Sequence, residues 1–346
     1  MTTSVWQSSL ILASTSAATV IENGAVIHFG NPSAELQATA NGNTLCDLSH
    51  LGLLEIDGAD AVSFLQGQVT NDVKLLSGSN AHFSAYCTPK GRMLALFLAF
   101  SHHNHLHIQL NRELLEPIMK RLKMYVMRSQ VNIKDVSESI VKFGLNGPDT
   151  PSLLAPLFAK IPTRDYELAS LENGVLLKLP TKAGQHRFQI FTDATNASLL
   201  FDALKQNCQL VGKPCWDWLD IQAGMPDISL KTQEQFVPQM LNLDILNGIN
   251  FKKGCYTGQE IVARTHYLGS VKRRMYLAEL AFESCPNAGD KVLNEANSEV
   301  GQIVRYAPNL AGNFDVLAEL RIESTKEKLF CNLSALTLKT QPYTLD

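Results

Sequence analysis

Apolar and polar positions along the chain follow two different periods, and each period predicts a different kind of element. Residues 93–100 form a continuous apolar run, which predicts a buried strand. Over 105–110, leucine and isoleucine alternate with histidine and glutamine, which predicts a half-buried strand that pairs with the first as a hairpin. Residues 114–126 then carry apolar side chains at helical spacing, so a helix is expected after the hairpin.

A second unit of the same kind follows over 141–207, and the alternation of hairpins and helices predicts an α+β fold with largely antiparallel sheets. From 274 onward, short apolar runs are separated by glycine and proline, which predicts a C-terminal β-barrel or sandwich without a helix. Residues 1–44 are small and polar, and only a short strand at 25–29 is expected there. A strand that ends in a turn at 57–58 and a short helix over 60–67 are also expected. The other strands predicted are 141–145, 176–179, 187–191, 275–280, 300–304, 315–319 and 329–333, and the helices are 152–159 and 197–207.

The composition is typical of a folded protein and argues against several functional classes. The chain has 346 residues, of which 45% are hydrophobic, so it can bury a large core over two or three domains. No apolar run approaches the length of a membrane helix, and residues 1–20 lack the basic region of a secretory signal, so a cytoplasmic location is expected. The seven cysteines show no zinc spacing, and all except Cys255 are expected to be structural. Nucleotide-binding glycine motifs and hydrolase motifs are absent from the sequence.

Positive charge is concentrated in residues 252–274, although the formal net charge of the chain is −3. Such a patch suits an anionic partner such as phosphate, a carboxylate tail or RNA, and a solvated charged face is the alternative interpretation. Glu260 is the one acidic residue among the basic ones, which are Lys252, Lys253, Arg264, Lys272, Arg273 and Arg274.

Cys255 lies in the segment with the most specific chemistry. The preceding Lys252 and Lys253 would favour a thiolate at Cys255, because nearby cations stabilise the charged form. A helix that starts after Gly258 would place Glu260 in its first turn, where a negative charge is favourable. We therefore expect a reactive thiol that acts as a nucleophile, a redox sensor or a transient ligand for iron or sulfur. The residues expected to support it are Lys253, Gly254, Tyr256, Gly258, Gln259 and Glu260.

Histidine is concentrated at positions 102, 103, 105 and 107, which suggests a possible metal site. His105 and His107 share one face of the predicted strand. Because no carboxylate is close by in sequence, a solvated strand face is favoured and no metal site is predicted.

Four segments occur in order along the chain: F-L-Q-G-Q-V-T-N-D at 64–72, Y-C-T-P-K-G-R-M at 86–93, Q-A-G-M-P at 222–226 and K-G-C-Y-T-G-Q-E at 253–260. They resemble motifs of the YgfZ folate-binding proteins, which are relatives of the glycine-cleavage aminomethyltransferase (T-protein). The K-G-C-Y-T-G-Q-E segment is the most specific, and the resemblance runs from about residue 44 to 340. It implies an aminomethyltransferase-like fold with three domains around a central channel. Two intertwined subdomains in 1–252 would bind folate, and 253–346 would hold the cysteine motif and the barrel.

The resemblance also implies a function. It identifies a monomeric protein that binds tetrahydrofolate or a derivative and maintains iron–sulfur enzymes, including those that thiolate tRNA. Trp216 matches a family tryptophan that contacts folate, with a core aromatic as the alternative, and Leu51 falls on a second contact position. Lys90 and Arg92 could hold the folate carboxylates or a phosphate of nucleic acid, or could simply form a basic turn.

The sequence departs from the aminomethyltransferases where those enzymes carry acids. No acid occurs at 90–95, where they have the aspartate that helps to activate the folate nitrogen, or at 185–188, where they have an acidic pterin-binding residue. Methylene transfer is therefore not expected, since general acid–base help is missing. Two alternatives to the auxiliary folate-binding function remain: a true aminomethyltransferase, and a basic RNA- or protein-binding scaffold with a vestigial pocket.

Overall fold

The computed structural model describes residues 6, 19–22, 24–181, 184–281 and 285–345. Its first layer is a five-stranded antiparallel sheet built on the predicted hairpin, in which Leu98 pairs with Gln109. The helix predicted after the hairpin is present, and it packs against this sheet. In spatial order the strands are β5 (Ala81–Cys87), β6 (Met93–His102), β7 (His105–Asn111), β4 (Leu51–Asp57) and β8 (Asn132–Asp135), and the helices are α2 (Ala61–Gln66) and α3 (Arg112–Met124).

A six-stranded sheet forms the second layer and is antiparallel except where its last two strands pair in parallel. The helix predicted at 152–159 is shorter and begins earlier, and the one predicted at 197–207 begins at residue 194. In spatial order the strands are β10 (Leu168–Leu171), β11 (Gly174–Leu179), β12 (His186–Asp193), β9 (Ile140–Gly147), β3 (Thr44–Asp47) and β13 (Gln209–Val211). With it belong the β1 (Val20–Glu22) and β2 (Ala25–His28) hairpin and helices α1 (Pro32–Asn41), α4 (Thr150–Leu154), α5 (Ala194–Leu204) and α6 (Lys213–Gln222).

Helix α1 was missed by the sequence analysis because it has no amphipathic pattern. Leu36 is its one large apolar residue, while its start carries ordinary helix signals. The Asn31 side chain caps the helix by accepting a hydrogen bond from the Ala34 amide at 3.0 Å, and Pro32 occupies the first turn. Glu35 is buried, and its carboxylate accepts a bond from the Gly212 amide at 2.9 Å, which ties α1 to the start of α6.

The C-terminal strands close into a six-stranded barrel, so the barrel alternative of the sequence analysis is confirmed. The strand predicted at 329–333 is two short strands, because Asn332 and Leu333 have φ of +51° and +70° and form a tight turn between them. The division at 252/253 stays a prediction. Around the barrel the strands are β14 (Arg273–Leu280), β17 (Phe314–Arg321), β16 (Glu299–Pro308), β15 (Lys291–Asn294), β18 (Leu329–Cys331) and β19 (Ser334–Leu338).

Helix α6 is where the layers meet. It packs against β2 and β3 on one side and against the barrel strands β16 and β17 on the other. A single buried apolar cluster runs from the five-stranded sheet through α6 into the barrel, and includes Leu54, Phe97, Trp216 and Val304. No helix within the described ranges is both long and apolar enough to cross a membrane.

Candidate functional site

A cavity of about 70 Å³ opens between the two sheets, α6 and the barrel. Leu51 on β4 and Trp216 on α6 both line it, although they are distant in sequence. Its walls are mostly apolar, with a few converging polar groups, which is the usual character of a small-molecule site. The polar lining residues are Gln109, Asn111, Gln189, Asp220, Asp227 and Arg305.

Trp216 is held tightly at the edge of this cavity. The residue is 3% exposed, and the guanidinium carbon of Arg187 lies 4.1 Å from its ring centroid. A Cβ on Gly144 would lie 2.2 Å from the ring carbon Cζ3, so only glycine fits beneath the tryptophan. Trp216 is therefore a core aromatic that also forms a wall of the cavity, and its contact with folate stays a prediction.

Buried ion pairs fix the floor of the cavity. Arg187 is fully buried and pairs with Asp220. Arg305 reaches in from barrel strand β16 and pairs with Asp220 at 2.6 Å and with Asp217 at 2.8 Å. Burial alone would raise the pKa of Asp217, but Lys213 and Arg305 hold it well below its usual range. Asp217 is therefore a charged partner of these cations, and Arg305 of the barrel completes the network.

Asp227 is an acid in the cavity that the sequence analysis missed. It accepts hydrogen bonds from the Asn111 side chain at 3.1 Å and from the Ile228 amide at 2.8 Å. Burial raises the pKa of its carboxyl group to about 6, against the opposing effect of Arg305. Segments 90–95 and 185–188 contain no acid, as the sequence analysis noted, whereas Asp227 directly follows the Q-A-G-M-P motif.

Two buried glutamines supply neutral polar groups on the opposite wall. Gln109 on β7 and Gln189 on β12 bind each other through their side-chain amides, one bond measuring 3.3 Å. Because each amide has donors and an acceptor, the pair can be redirected towards a ligand without a charge being buried.

A second cavity of about 270 Å³ adjoins the first, with which it shares Asn111, Asp227 and Arg305. Lys213 lies in its wall beside Tyr306. The two cavities together can accommodate an elongated molecule, with the acid and the cations near their junction.

Cys255 is exposed, and among the described residues it is not part of the lining of either cavity. It precedes helix α7 (Gln259–Tyr267), whose start packs against the turn at 88–92. Gly258 has φ of +85°, and a Cβ there would lie 2.4 Å from the Thr88 carbonyl oxygen, so the motif requires glycine at this position. A Cβ on Gly254 would meet no described atom within 4 Å, so the fold places no such demand on it.

Lys90 and Arg92 belong to that same turn and, like Cys255, are not among the described lining residues of the first cavity. Lys90 is exposed, and the Arg92 guanidinium donates to the Gln235 carbonyl. The structure thus separates the expected site residues into two groups. Leu51 and Trp216 share the cavity, whereas Lys90 and Arg92 lie on the surface segment that packs beside the cysteine motif. Folate binding by Lys90 and Arg92 stays a prediction.

Lys253 has a different role from the one expected. Its ammonium is buried and donates to the carbonyl oxygens of Gln66 at 2.7 Å, Asn71 at 3.0 Å and Val69. It also lies 5.0 Å from the ring centroid of Tyr256, and burial lowers its pKa to about 8. Lys253 therefore anchors the cysteine motif to the segment 66–71, rather than presenting a free cation to the thiol.

The basic patch at 252–274 is smaller than its composition indicated. Arg274 forms a two-bond ion pair with Asp244, at 2.6 and 2.9 Å, and Arg273 pairs with the buried Glu319. Together with the anchoring of Lys253, these pairs remove half of the predicted cations from the surface. The basic residues that remain exposed are Lys252, Arg264 and Lys272.

Most of the other cysteines are buried, as the sequence analysis predicted. Burial raises the pKa of the Cys87 thiol to about 12, so it is inert at neutral pH. Cys285 is exposed and does not fit the structural role expected of it. The buried thiols are Cys46, Cys87, Cys208, Cys215 and Cys331.

Comparison with known proteins agrees with this architecture. A family model described as the GCVT N-terminal domain matches residues 25–250. The crystal structure of glycine cleavage system aminomethyltransferase T from Bartonella henselae superposes with a TM-score of 0.78 at 15% identity, and covers 99% of this chain and 98% of that one. The fold thus defines an aminomethyltransferase-like protein.

Curated relatives narrow the class. The tRNA-modifying protein YgfZ of Yersinia pestis (strain Pestoides F) is 36% identical over 247 residues, which are 71% of this chain and 74% of the relative. The tRNA-modifying protein YgfZ of Yersinia enterocolitica is 32% identical over 315 residues, 87% of this chain and 93% of the relative. The chain belongs to the YgfZ family.

Proposed function

We propose that the protein binds tetrahydrofolate or a derivative in the cavity between Leu51 and Trp216, and that it supports tRNA modification. The observation that carries the proposal is the cavity itself, where apolar walls surround a buried acid and an amide pair. A pterin ring is flat and carries adjacent N–H groups. The two oxygens of an ionised Asp227 can accept hydrogen bonds from these groups. The tail of the folate would then extend into the second cavity, where Lys213 and Arg305 attract its carboxylates.

The contact between Trp216 and the folate differs from simple stacking. Arg187 already lies over the indole ring, and Gly144 packs closely against its six-membered part. The cavity therefore meets the edge of the ring. An edge-on aromatic contact of this kind is worth about 0.5–1.5 kcal/mol, so replacing Trp216 has a measurable effect on affinity.

The binding proposal is tested with a pair of tryptophan variants from the same helix. Trp216→Phe should weaken tetrahydrofolate binding by up to about tenfold in titration calorimetry, because the edge contact is lost. Trp218→Phe is the matched control, since Trp218 donates to Asp315 at 3.0 Å and is not among the described lining residues of the cavity. Equal affinities of the two variants, or no binding by the unmodified protein, would refute the cavity assignment.

The cellular role rests on the curated relatives, whose names describe tRNA modification. We infer that this chain serves the same process in the cytoplasm, by maintaining iron–sulfur enzymes such as those that thiolate tRNA. The exposed thiol of Cys255 is the group that a client enzyme can reach. One sulfur cannot hold an iron–sulfur cluster alone, so a cluster-related role requires ligands from the client.

Two serine variants test the thiol role in cells that lack the native gene. Cys255→Ser should fail to restore the modified nucleosides that mass spectrometry detects in digested tRNA, while its affinity for folate stays the same. Cys285→Ser is the control, because Cys285 is the other exposed thiol among the described cysteines. Full restoration by Cys255→Ser would remove the thiol from the mechanism and leave the folate proposal intact.

Aminomethyl transfer is a second candidate, because Asp227 provides an acid inside the cavity. Activity in a reconstituted glycine-cleavage assay, and its loss in Asp227→Asn, would support this candidate. Direct binding of tRNA through Lys252, Arg264 and Lys272 is the remaining alternative from the sequence. It predicts an affinity that falls steeply with salt and does not depend on the folate cavity.

A further inference from the structure

Two carboxylates and two imidazoles lie together on one face of the five-stranded sheet, away from the groups described above. In the pairing of β4 with β7, Glu55 stands directly opposite His107. Residues two apart on a strand point to the same face, so Asp57 joins Glu55 and His105 joins His107. The register therefore supplies the carboxylates that the sequence around the histidines does not contain.

The ligand atoms of this cluster are close enough to share one ion. One atom each from Glu55, Asp57 and His105 lies within 4.8 Å of the others. His105 Nδ1 is 3.1 Å from Glu55 Oε2, and His107 Nε2 is 3.6 Å from the same oxygen, which is too far for a hydrogen bond. The two carboxylate side chains are 20% exposed, so an ion between them is partly shielded from water.

His107 is buried beside this cluster. The residue is 6% exposed, and Nε2 is the ring nitrogen that approaches Glu55. Because Nε2 lies beyond hydrogen-bond distance of that carboxylate, it can turn towards an ion. A cavity of about 360 Å³, lined by His102, His103, His105, His107 and Glu55, gives access to the cluster.

We propose that Glu55, Asp57 and His105, with His107 nearby as the fourth ligand, bind a zinc ion. Zinc accepts mixed nitrogen and carboxylate ligands at 2.0–2.2 Å and favours four-coordinate sites, so a small inward movement of these side chains completes the coordination. Imidazole ligands favour zinc over magnesium and calcium, which prefer oxygen.

Lys134 on β8 now occupies the position of a counter-ion. Its ammonium is 3.0 Å from Asp57 Oδ2 and 3.8 Å from Glu55 Oε1, and its side chain is 51% exposed. Because two carboxylates face one ammonium, one negative charge remains uncompensated. Zinc would displace this flexible side chain into water, so Lys134 competes with the ion for the carboxylates.

Competition between Lys134 and zinc distinguishes a metal site from an ordinary cluster of surface ion pairs. The test uses the full chain with the exposed thiols Cys255 and Cys285 replaced by serine, stripped with chelator and titrated with zinc against a chromogenic chelator. One zinc ion should bind per chain. Lys134→Met should tighten binding by roughly fivefold, because it removes the competitor. His105→Ala should weaken binding by at least about tenfold, because it removes a ligand.

His103→Ala is the matched control, since His103 lines the same cavity but bonds to the Glu172 carbonyl at 3.0 Å. It should leave zinc affinity within about twofold. Lys134→Met is at the surface and keeps the test valid if His105→Ala fails to fold. The proposal is overturned if no stoichiometric zinc binds at micromolar concentration. It is also overturned if Lys134→Met weakens binding or leaves it unchanged, or if His103→Ala and His105→Ala have equal effects.

Discussion

Replacing Asp227 by asparagine should stabilise the folded protein at neutral pH and weaken its binding of tetrahydrofolate. Burial raises the pKa of this carboxyl group from 3.8 to about 6. Because this pKa is higher in the folded than in the unfolded state, the protonated carboxyl contributes its full stability below about pH 4. That contribution is lost as the pH rises through about 6. At pH 7.5 the ionised carboxylate therefore costs about 3 kcal/mol relative to its protonated form.

Asparagine keeps the shape of Asp227 but cannot ionise. The gain should be smaller than 3 kcal/mol, because one oxygen must now serve the Ile228 amide while Asn111 reorients its own side chain. We expect about 1–2 kcal/mol, which raises the thermal midpoint by several degrees at pH 7.5. At pH 5 the difference between the two proteins should shrink, because wild-type Asp227 is then protonated.

The assay is thermal unfolding at pH 5 and pH 7.5, with the exposed Asp202→Asn as a control that should respond equally at both values. Tetrahydrofolate affinity is measured on the same samples. In the wild-type protein it should fall as the pH drops below about 6, and in Asp227→Asn it should be weak at every pH. The reasoning would be refuted if Asp227→Asn were less stable than the wild-type protein at both pH values. It would also be refuted if the substitution left the affinity for tetrahydrofolate unchanged.

Two further predictions concern the cysteine motif, and each has a matched control. Gly258→Ala should destabilise the protein by several kcal/mol in thermal unfolding, because φ is +85° and the new Cβ meets the Thr88 carbonyl oxygen. Gly254→Ala should change stability by less than about 1 kcal/mol, and similar losses in both variants would contradict the geometry. Lys253→Met should cost about 3–5 kcal/mol, because it leaves three buried carbonyl oxygens without a donor. The exposed Lys252→Met should be nearly neutral, and a Lys253→Met protein as stable as this control would show that the carbonyls find water instead.

The spacing of apolar residues along the chain was sufficient to predict the helices and strands that bury one apolar face. The β6–β7 hairpin and the helix after it were expected because their apolar runs match a strand and a helix without conflict. Helix α1 was missed for the opposite reason, since Leu36 is the only apolar side chain among its buried residues, which also include Glu35 and Thr39. Its cap at Asn31 and the following Pro32 were the signals that could have found it.

The candidate site was harder to predict, because its chemistry depends on which way side chains point. Asp227 is unremarkable in the sequence and becomes significant through burial and its bond to Asn111. Lys253 next to Cys255 looks like an activating cation, yet its ammonium is directed to the carbonyls of 66–71. Likewise, the register of β4 against β7 brings Glu55 opposite His107, and no local pattern encodes a register between distant strands.

Arg305 has a consequence for how this fold can be divided. The matched family domain ends at residue 250, whereas Arg305 lies on the barrel and pairs with both Asp217 and Asp220. A fragment cut before the barrel would leave those acids buried with one fewer cation and would open the wall beside Trp216. The unit that sequence comparison outlines is thus smaller than the unit that shapes the ligand chamber. A chimera that exchanges the C-terminal third between relatives would therefore transfer ligand preference as well as surface.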